Sequence, residues 1–381
     1  MLGSKIIEFV VENEVYKLIR NNWLNIEEKV SKIIMKKVCI VGHFGFGEDL
    51  LNGQTVKTRV VTAELERQFG SKQVKKIDTH GGVKRFPLII CELFKAFLYS
   101  QNIVILPAQN GLKVLSPLCA ILNKMYKRKI HYVVIGGWLN SYLNNNKKVE
   151  EFLYNYDAIY VETSTMKKTL EKRGFTNIVL MPNFKKLTTL QNSDLVCEIR
   201  KPYEFCTFSR VMKEKGIEDA IEAIKEINKK NESVECKLDI YGQVDNEQLS
   251  WFQNLKYKFP NYVSYKGLVP YDKSVEVIKD YYAVLFPTRF YTEGIPGTIL
   301  DAYAAGVPVV CSKWESFGDI VDNEKTGWGY EFGDARSLYN TIVKIIKMDE
   351  ESYTNIKKAC LKKANSYNPE NGIRPLVTRL K

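Results

Sequence analysis

The stretch that decides the reading of this chain runs Ala283-Val-Leu-Phe-Pro287, Thr-Arg-Phe290-Tyr-Thr-Glu293-Gly294-Ile295-Pro296-Gly297-Thr298-Ile-Leu-Asp301-Ala-Tyr-Ala-Ala-Gly306, Val307-Pro308-Val-Val310. An apolar run, a glycine-rich loop, a helical segment and a second apolar run follow one another. Short apolar runs spaced by a helix belong to a parallel sheet buried on both faces. Gly294 and Gly297 allow the backbone to approach a ligand closely. From Thr298 a helix begins, whose free N–H groups and positive dipole end attract a pyrophosphate. Glu293 stands in the loop and Asp301 one turn inside the helix, so both carboxylates can accept hydrogen bonds from hydroxyls.

Outward from this stretch the same alternation recurs. In the second half, strands are expected at Phe205–Ser209, Cys236–Tyr241, Val263–Lys266, Ala283–Pro287 and Val307–Cys311. In the first half they are expected at Val38–Gly42, Asn102–Leu106, Ile130–Ile135, Ala158–Glu162 and Asn177–Met181. Gly53 launches a helix after the first strand, with Val56, Val60, Val61, Leu65 and Phe69 on one stripe and Gly70 as its stop. Periodicity fades between Pro182 and Pro202, which marks a crossing between domains. The expected organisation is an amphipathic helical extension over 1–35, a Rossmann-like domain over 36–185, a linker over 186–202 and a second Rossmann-like domain over 203–366. A final helix over 367–381 is expected to return to the first domain. The fold class is α/β: two doubly wound domains facing a central cleft, with ligands held beyond the carboxyl ends of the strands. Within the extension, Ile7, Val11, Leu18 and Ile19 form one stripe and Ile26, Val30, Ile33 and Ile34 another. These pack on the protein's own surface or dock on a membrane or partner.

A length of 381 residues suits two cores, and 45% hydrophobic with 26% charged residues is the balance of a folded protein. No apolar run approaches the ~20 residues that span a bilayer, and Glu8, Glu12 and Glu14 interrupt any secretory signal. The expected location is cytoplasmic, or peripheral on the inner membrane face. The eight cysteines form no C-x-x-C pair, several lie in core-like runs, and reduced buried thiols are expected. The net charge of +12 calls for an anionic partner. Nucleic acid, an anionic membrane surface and phosphorylated ligands all answer to that charge; lysine runs such as Lys75-Lys76 and Lys127-Arg128-Lys129 come without any nucleic-acid signature, which favours a membrane-facing patch over nucleic acid.

A second constellation is Phe208-Ser209-Arg210-Val211-Met-Lys-Glu-Lys215-Gly216-Ile217, at a strand end leading into a helix. Arg210 offers a bidentate fork and Lys215 a point charge, both suited to a diphosphate. Through these two segments the chain resembles glycosyltransferase family 4, the retaining family of GT-B fold that includes enzymes of bacterial exopolysaccharide, capsule and cell-surface glycan synthesis. The family's hallmark is two glutamates with seven residues between them, in a Glu-Gly-x-Pro context ending in Ala-x-Gly-x-Pro-Val, and a Gly-Arg-Leu-x-x-x-Lys-Gly segment. Here Asp301 stands for the second glutamate and Ser209 for the first glycine of that segment.

The resemblance implies that Glu293 lies beside the donor sugar and that the loop Gly294, Ile295, Pro296, Gly297 and Thr298 contacts sugar and phosphate. It implies further that Asp301 binds ribose hydroxyls and that Arg210 and Lys215 neutralise the leaving diphosphate, with Ser209 beside them. Gly242 ends a family strand, and Gly267, Leu268 and Val269 supply backbone contacts to the base. In the first domain, Gly42-His43-Phe44-Gly45-Phe46-Gly47 is similar to a glycine-rich loop near the donor phosphates and acceptor, with Gly45 as the contact. It is not the dinucleotide fingerprint, because its glycines are spaced differently. Gly136 and Gly137 stand where the family often has a histidine, and His131, at the strand's start, is expected to be structural.

The implied reaction is transfer from a nucleotide-diphosphate sugar, UDP before GDP, to a glycan or lipid-linked acceptor with retention of configuration. No cofactor and no metal are implied, consistent with the lack of an Asp-x-Asp motif, and three histidines leave few candidates for a dedicated base. Two other readings share the fold: a nucleotide-sugar epimerase, and a noncatalytic carbohydrate-binding or scaffold subunit of a membrane-associated assembly.

Overall fold

The computed structural model describes residues 35–48, 53–81, 85–231, 233–270 and 272–381. The amphipathic helices expected before residue 35 lie outside the described residues. Among the described residues, two six-stranded sheets form. The first contains β1 (Lys36–Gly42), β2 (Val74–Asp78), β3 (Ser100–Leu106), β4 (Lys129–Val133), β5 (Ala158–Val161) and β6 (Ile178–Leu180), in the order β2-β1-β3-β4-β5-β6. The second contains β7 (Tyr203–Phe208), β8 (Cys236–Tyr241), β9 (Val263–Gly267), β10 (Ala283–Phe286), β11 (Val309–Ser312) and β12 (Gly327–Tyr330), in the order β12-β11-β10-β7-β8-β9.

The pairs β1–β2, β1–β3, β3–β4 and β4–β5 of the first sheet are parallel, as are β9–β8, β8–β7, β7–β10, β10–β11 and β11–β12 of the second. Val38, Cys39, Ile40 and Val41 are all fully buried, as are Ile103 to Leu106, because helices cover both faces of the sheet.

By packing, the described chain falls into two units. One comprises residues up to Ile135 together with Tyr142–Tyr160 and Val377–Lys381, and the other Gly136–Ser141 and Val161–Leu376. In the first unit Leu380 and Lys381 are fastened to the sheet. Lys37 Nζ donates to the Lys381 carbonyl at 3.1 Å, and Asn102 Nδ2 donates to the carbonyls of Lys37 at 2.9 Å and Leu380 at 3.3 Å. In the second unit one apolar core runs from Tyr203 to Cys360, with helices Ile217–Asn231 and Ala335–Ile345 packed together on the sheet.

All ten expected strands form, most with ends moved by one or two residues. Two strands were not expected. β2 carries Lys75 and Lys76 in its middle, yet Val74, Ile77 and Asp78 are buried, as suits an edge strand with one half-open face. β12 is Gly327-Trp-Gly-Tyr330, too glycine-rich to read as a strand. A Cβ at Gly327 would sit 2.4 Å from the Val309 carbonyl oxygen, so the close approach of β11 requires glycine there.

The helix Gly53–Phe69 forms as expected, but its buried residues are Thr55, Lys57, Thr58, Val61, Thr62 and Leu65, while Val56, Val60 and Phe69 are only half-buried. The reason is close packing on β1: a Cβ at Gly42 would lie 2.8 Å from Thr58 Cγ2. Six of the eight cysteines are buried, and burial pushes the Cys39 and Cys119 thiols up to about 12, which keeps them inert. Cys91 departs from the expectation of buried thiols. It is exposed, because helix Phe86–Tyr99 turns Ile89, Leu93, Ala96 and Phe97 inward instead. Among the described residues no helix is long and apolar enough to cross a membrane.

Candidate active site

In the second sheet the chain begins in the middle at β7, moves outward through β8 and β9, then returns to the other side of β7 as β10. The strand order therefore reverses between β7 and β10, and the loops leaving their carboxyl ends diverge there into a crevice. Arg210 and Lys215 follow β7, and Glu293 follows β10. The topology brings together residues that lie about eighty positions apart.

Two glycines shape the loop after β7. Gly216 has φ 67°, and a Cβ there would lie 1.9 Å from the Pro287 carbonyl oxygen, so the turn Lys213–Lys215 presses on the end of β10. Gly242 has φ 132°, and a Cβ there would meet the Ser209 carbonyl oxygen at 1.8 Å. Lys215 Nζ is thereby set on the Glu293 carboxylate, which also accepts from Thr288 Oγ1 at 3.0 Å. The ammonium lies 5.2 Å from the Phe286 ring centre and 4.9 Å from that of Phe290, a cation–π cradle for a largely buried charge. Arg210 is half-exposed and reaches Asp245 at 3.3 Å. Ser209 Oγ turns to the Arg210 carbonyl at 3.3 Å.

The loop Glu293–Gly297 is seated by segments remote in sequence. Ile295 is buried; its N–H donates to Glu162 Oε2 at 3.0 Å, and its carbonyl accepts from Asn183 Nδ2 at 3.0 Å. Gly137 packs so closely that a Cβ would lie 2.2 Å from the Thr292 carbonyl oxygen and 2.8 Å from that of Glu293. Gly294 is flanked by Gly136 Cα and by Glu162. Ile295, Gly136 and Gly137 were expected to meet the donor directly. In this structure both peptide groups of Ile295 are engaged within the fold, and Gly137 lies against the Thr292 and Glu293 carbonyls.

Helix Gly297–Ala304 starts after Pro296, and Thr298 Oγ1 donates to the Phe208 carbonyl, tying the helix start to the end of β7. Gly297 faces open space, with nothing within 4 Å of its Cβ position. Asp301 departs most from expectation. Its side chain is buried, with Lys185 Nζ at 2.6 Å and Ser274 Oγ at 2.9 Å on the same oxygen. Burial pushes its carboxyl above the ordinary value, opposed by Lys185 and Ser274. Gly242 and Gly267 are joined by a 2.9 Å backbone hydrogen bond, and Gly267 has φ 80° with open space before it. Leu268 beside it is exposed and Val269 half-buried.

In the first unit the loop after β1 is closed on itself. Asp78, at the end of β2, accepts from the amides of Phe44 at 2.8 Å, Gly45 at 3.3 Å, Phe46 at 2.9 Å and His80 at 2.9 Å. Burial alone would raise this carboxyl; the four N–H groups outweigh it and hold it below the ordinary value. The Gly45 amide, expected to face phosphate, is thus taken by an internal carboxylate. Beside it, His43 contacts Thr55 Oγ1 at 2.8 Å and His80 at 3.1 Å, and His80 contacts Glu48 at 3.0 Å.

None of Glu162, Asn183, Lys185, Thr288 and Asp78 was expected at the site from sequence. Only Glu162 carried a signal, as an acid at the end of an apolar strand.

Residues 198–363 match the family model described as glycosyl transferases group 1. The putative colanic acid biosynthesis glycosyltransferase WcaL of Escherichia coli (strain K12) is 26% identical over 184 residues, 47% of this chain and 45% of that protein. The amylovoran biosynthesis glycosyltransferase AmsK of Erwinia amylovora is 21% identical over 183 residues, 47% of this chain and 44% of that protein. The chain spans under half the length of these curated relatives. Among solved structures, Anabaena HepE in complex with UDP superposes with a TM-score of 0.71 at 14% identity, covering 91% of this chain and 99% of that one. The sucrose-phosphate synthase of Thermosynechococcus elongatus does so with a TM-score of 0.71 at 15% identity, covering 90% and 97%. The chain therefore has the GT-B fold, and its residues 198–363 carry the group 1 glycosyltransferase pattern.

Proposed function

We propose that this protein is a metal-independent, retaining glycosyltransferase that moves a sugar from a nucleoside-diphosphate donor, UDP before GDP, to a glycan or lipid-linked glycan in cell-surface polysaccharide synthesis. The observation that carries the reading is the meeting of Lys215 and Glu293 at the point where the second sheet reverses its strand order. It is supported by the group 1 match over the same residues and by the activities named for WcaL and AmsK. HepE, which shares the fold, has been solved with UDP and with UDP-glucose.

In this reading the bond between the sugar's anomeric carbon and the diphosphate oxygen breaks as the acceptor hydroxyl bonds to that carbon from the same face. The hydroxyl proton passes to the departing phosphate oxygen, so no separate base is needed. Negative charge grows on the diphosphate, and Arg210 and Lys215 stabilise it. Glu293 holds the ammonium of Lys215 in place and faces the sugar hydroxyls. The Gly297 and Thr298 amides at the helix start meet phosphate, and the backbone of Gly267 to Val269 meets the base.

Nucleotide binding tests the reading directly. Thermal unfolding is followed with UDP, GDP, dTDP, CMP and NAD, without metal and then with magnesium. A ligand at about 100 times its Kd adds about 2.7 kcal/mol to the folded state. Stabilisation by one nucleoside diphosphate without metal supports the donor site. A folded protein indifferent to all of them removes it and favours a scaffold. The lipid-linked acceptor is tested by flotation with anionic liposomes at low salt, where protein left wholly in the soluble fraction counts against a membrane-borne acceptor.

A further inference from the structure

We propose that Glu162 and Asn183 are positioning residues that hold the Glu293 loop in its working geometry, acting as a two-armed clamp on the peptide groups of Ile295. The inference rests on the donor-site reading above and adds to it residues that do not touch the donor.

The geometry is specific. Ile295 lies two positions after Glu293 and two before Gly297, where the helix begins. Its N–H goes to a carboxylate and its carbonyl to a side-chain amide, both at 3.0 Å. The two arms come from residues more than a hundred positions away in the chain. Fixing the peptide groups on both sides of one residue fixes the path of the backbone there. The direction in which the Glu293 side chain and the first helical amides point follows from that path. The carboxylate is buried at 4% exposure, and charge-assisted bonds to backbone N–H are the strong ones in such surroundings.

The fit leaves no room for another occupant of the Ile295 amide. A Cβ on Gly294 would stand 2.3 Å from Glu162 Oε2 and 2.9 Å from Gly136 Cα. Glycine at 294 is therefore required by the clamp itself, and the amide is not an anion site waiting for a ligand. The same seam continues beyond the loop: Ser164 and Thr165 both donate backbone N–H to Asp319, each at 3.1 Å, and Ser316 Oγ donates to Thr163 Oγ1 at 3.2 Å. Glu162 thus leads a short run, 162–165, whose first residue holds the loop bearing the candidate acid and whose other three hold Ser316 and Asp319 after β11.

The test compares Glu162→Ala, Glu162→Gln and Asn183→Ala with the wild-type chain by residue-resolved hydrogen exchange and by calorimetric titration with UDP. In Glu162→Ala the Ile295 amide exchanges at least ~10-fold faster while helix Ile217–Asn231 is unchanged, and the Kd for UDP rises ~10-fold or more. Glu162→Gln, whose amide oxygen still accepts the N–H, stays within ~3-fold of wild type in both. If Glu162→Ala does not fold, Asn183→Ala opens the other arm and must show the same local acceleration and the same weakening. Exchange that rises evenly across the second unit, or UDP affinity that holds while Ile295 is released, overturns the proposal. A wild-type chain that binds no nucleoside diphosphate refutes the donor reading and with it the clamp's purpose, whereas unchanged exchange at Ile295 with intact UDP binding refutes the clamp alone.

Discussion

His131 is built to be neutral, and the consequence can be measured. Asn102 Nδ2 is engaged by two backbone carbonyls, so Asn102 Oδ1 faces His131 Nε2 at 3.4 Å and must accept; Nε2 carries the proton. Nδ1 then accepts from the Tyr160 hydroxyl at 3.2 Å. Both nitrogens are satisfied without charge. Burial, then the nearby charges of Lys129 and Arg379, lower the pKa from 6.5 to about 4.

As pH falls below about 6.5, the unfolded chain takes up a proton at this position that the folded chain refuses until about 4. The stability linked to His131 is therefore present above about pH 6.5 and is lost progressively down to about pH 4. Between about pH 7.5 and about pH 5 the loss amounts to about 2 kcal/mol. His131→Gln is neutral at every pH. Urea unfolding of both proteins at both pH values gives a double difference in which every other titrating group cancels. The variant is expected to be less stable at neutral pH yet to lose about 2 kcal/mol less on acidification than wild type. An equal pH dependence in the two proteins refutes the reasoning.

Three further outcomes are expected. Under the proposed function, Lys215→Met lowers turnover by roughly 100- to 1000-fold in a sugar-transfer assay, because the diphosphate loses a fixed cation as its charge grows; turnover close to wild type removes that role. Asp301→Ala strands the Lys185 ammonium, whose carboxylate partner is 2.6 Å away, and costs about 3 to 5 kcal/mol by urea unfolding. The double variant with Lys185→Met recovers part of the loss, and no recovery argues that Asp301 serves something other than this pair. Asp78→Ala frees the amides of Phe44, Gly45 and Phe46 and costs about 1 to 3 kcal/mol. Because this carboxyl is held below its ordinary value, the stability it confers is present above about pH 4 and fades on acidification. The variant should show a flatter acid limb, and an unchanged limb places the titration elsewhere.

The alternation of strands and helices was legible because strands buried on both faces read as unbroken apolar runs, Val38 to Val41 and Ala283 to Phe286 among them. β2 was not, since an edge strand tolerates the lysine pair that argues against burial. Nor was β12, where glycine answers a neighbouring backbone and leaves no side-chain pattern to read. The meeting of Lys215 with Glu293 was legible in part, because both lie just beyond expected strands and parallel sheets gather such ends. The partners of Asp301, Ile295 and Gly45 were not. An acid in a loop shows what it can bind, but a local stretch does not reveal that Lys185, Glu162 or Asp78 arrives first from a distant segment. The stripe of helix Gly53–Phe69 misled for a similar reason: threonines displaced valines because the tight contact with Gly42 favours short side chains.

The reversal of strand order in the second sheet also bears on how the chain acquires its shape. Phe205 of β7 pairs with Ala283 of β10, so one edge of the central strand waits while all of β8 and β9 are made. At translation rates of roughly 5 to 20 residues per second the wait lasts roughly 4 to 16 seconds. Through that interval the nascent chain presents the row of N–H and C=O groups that neighbouring polypeptides bind most readily. A stalled ribosome between those two strands would leave a three-stranded fragment with its most apolar strand at the margin, prone to clump with its copies.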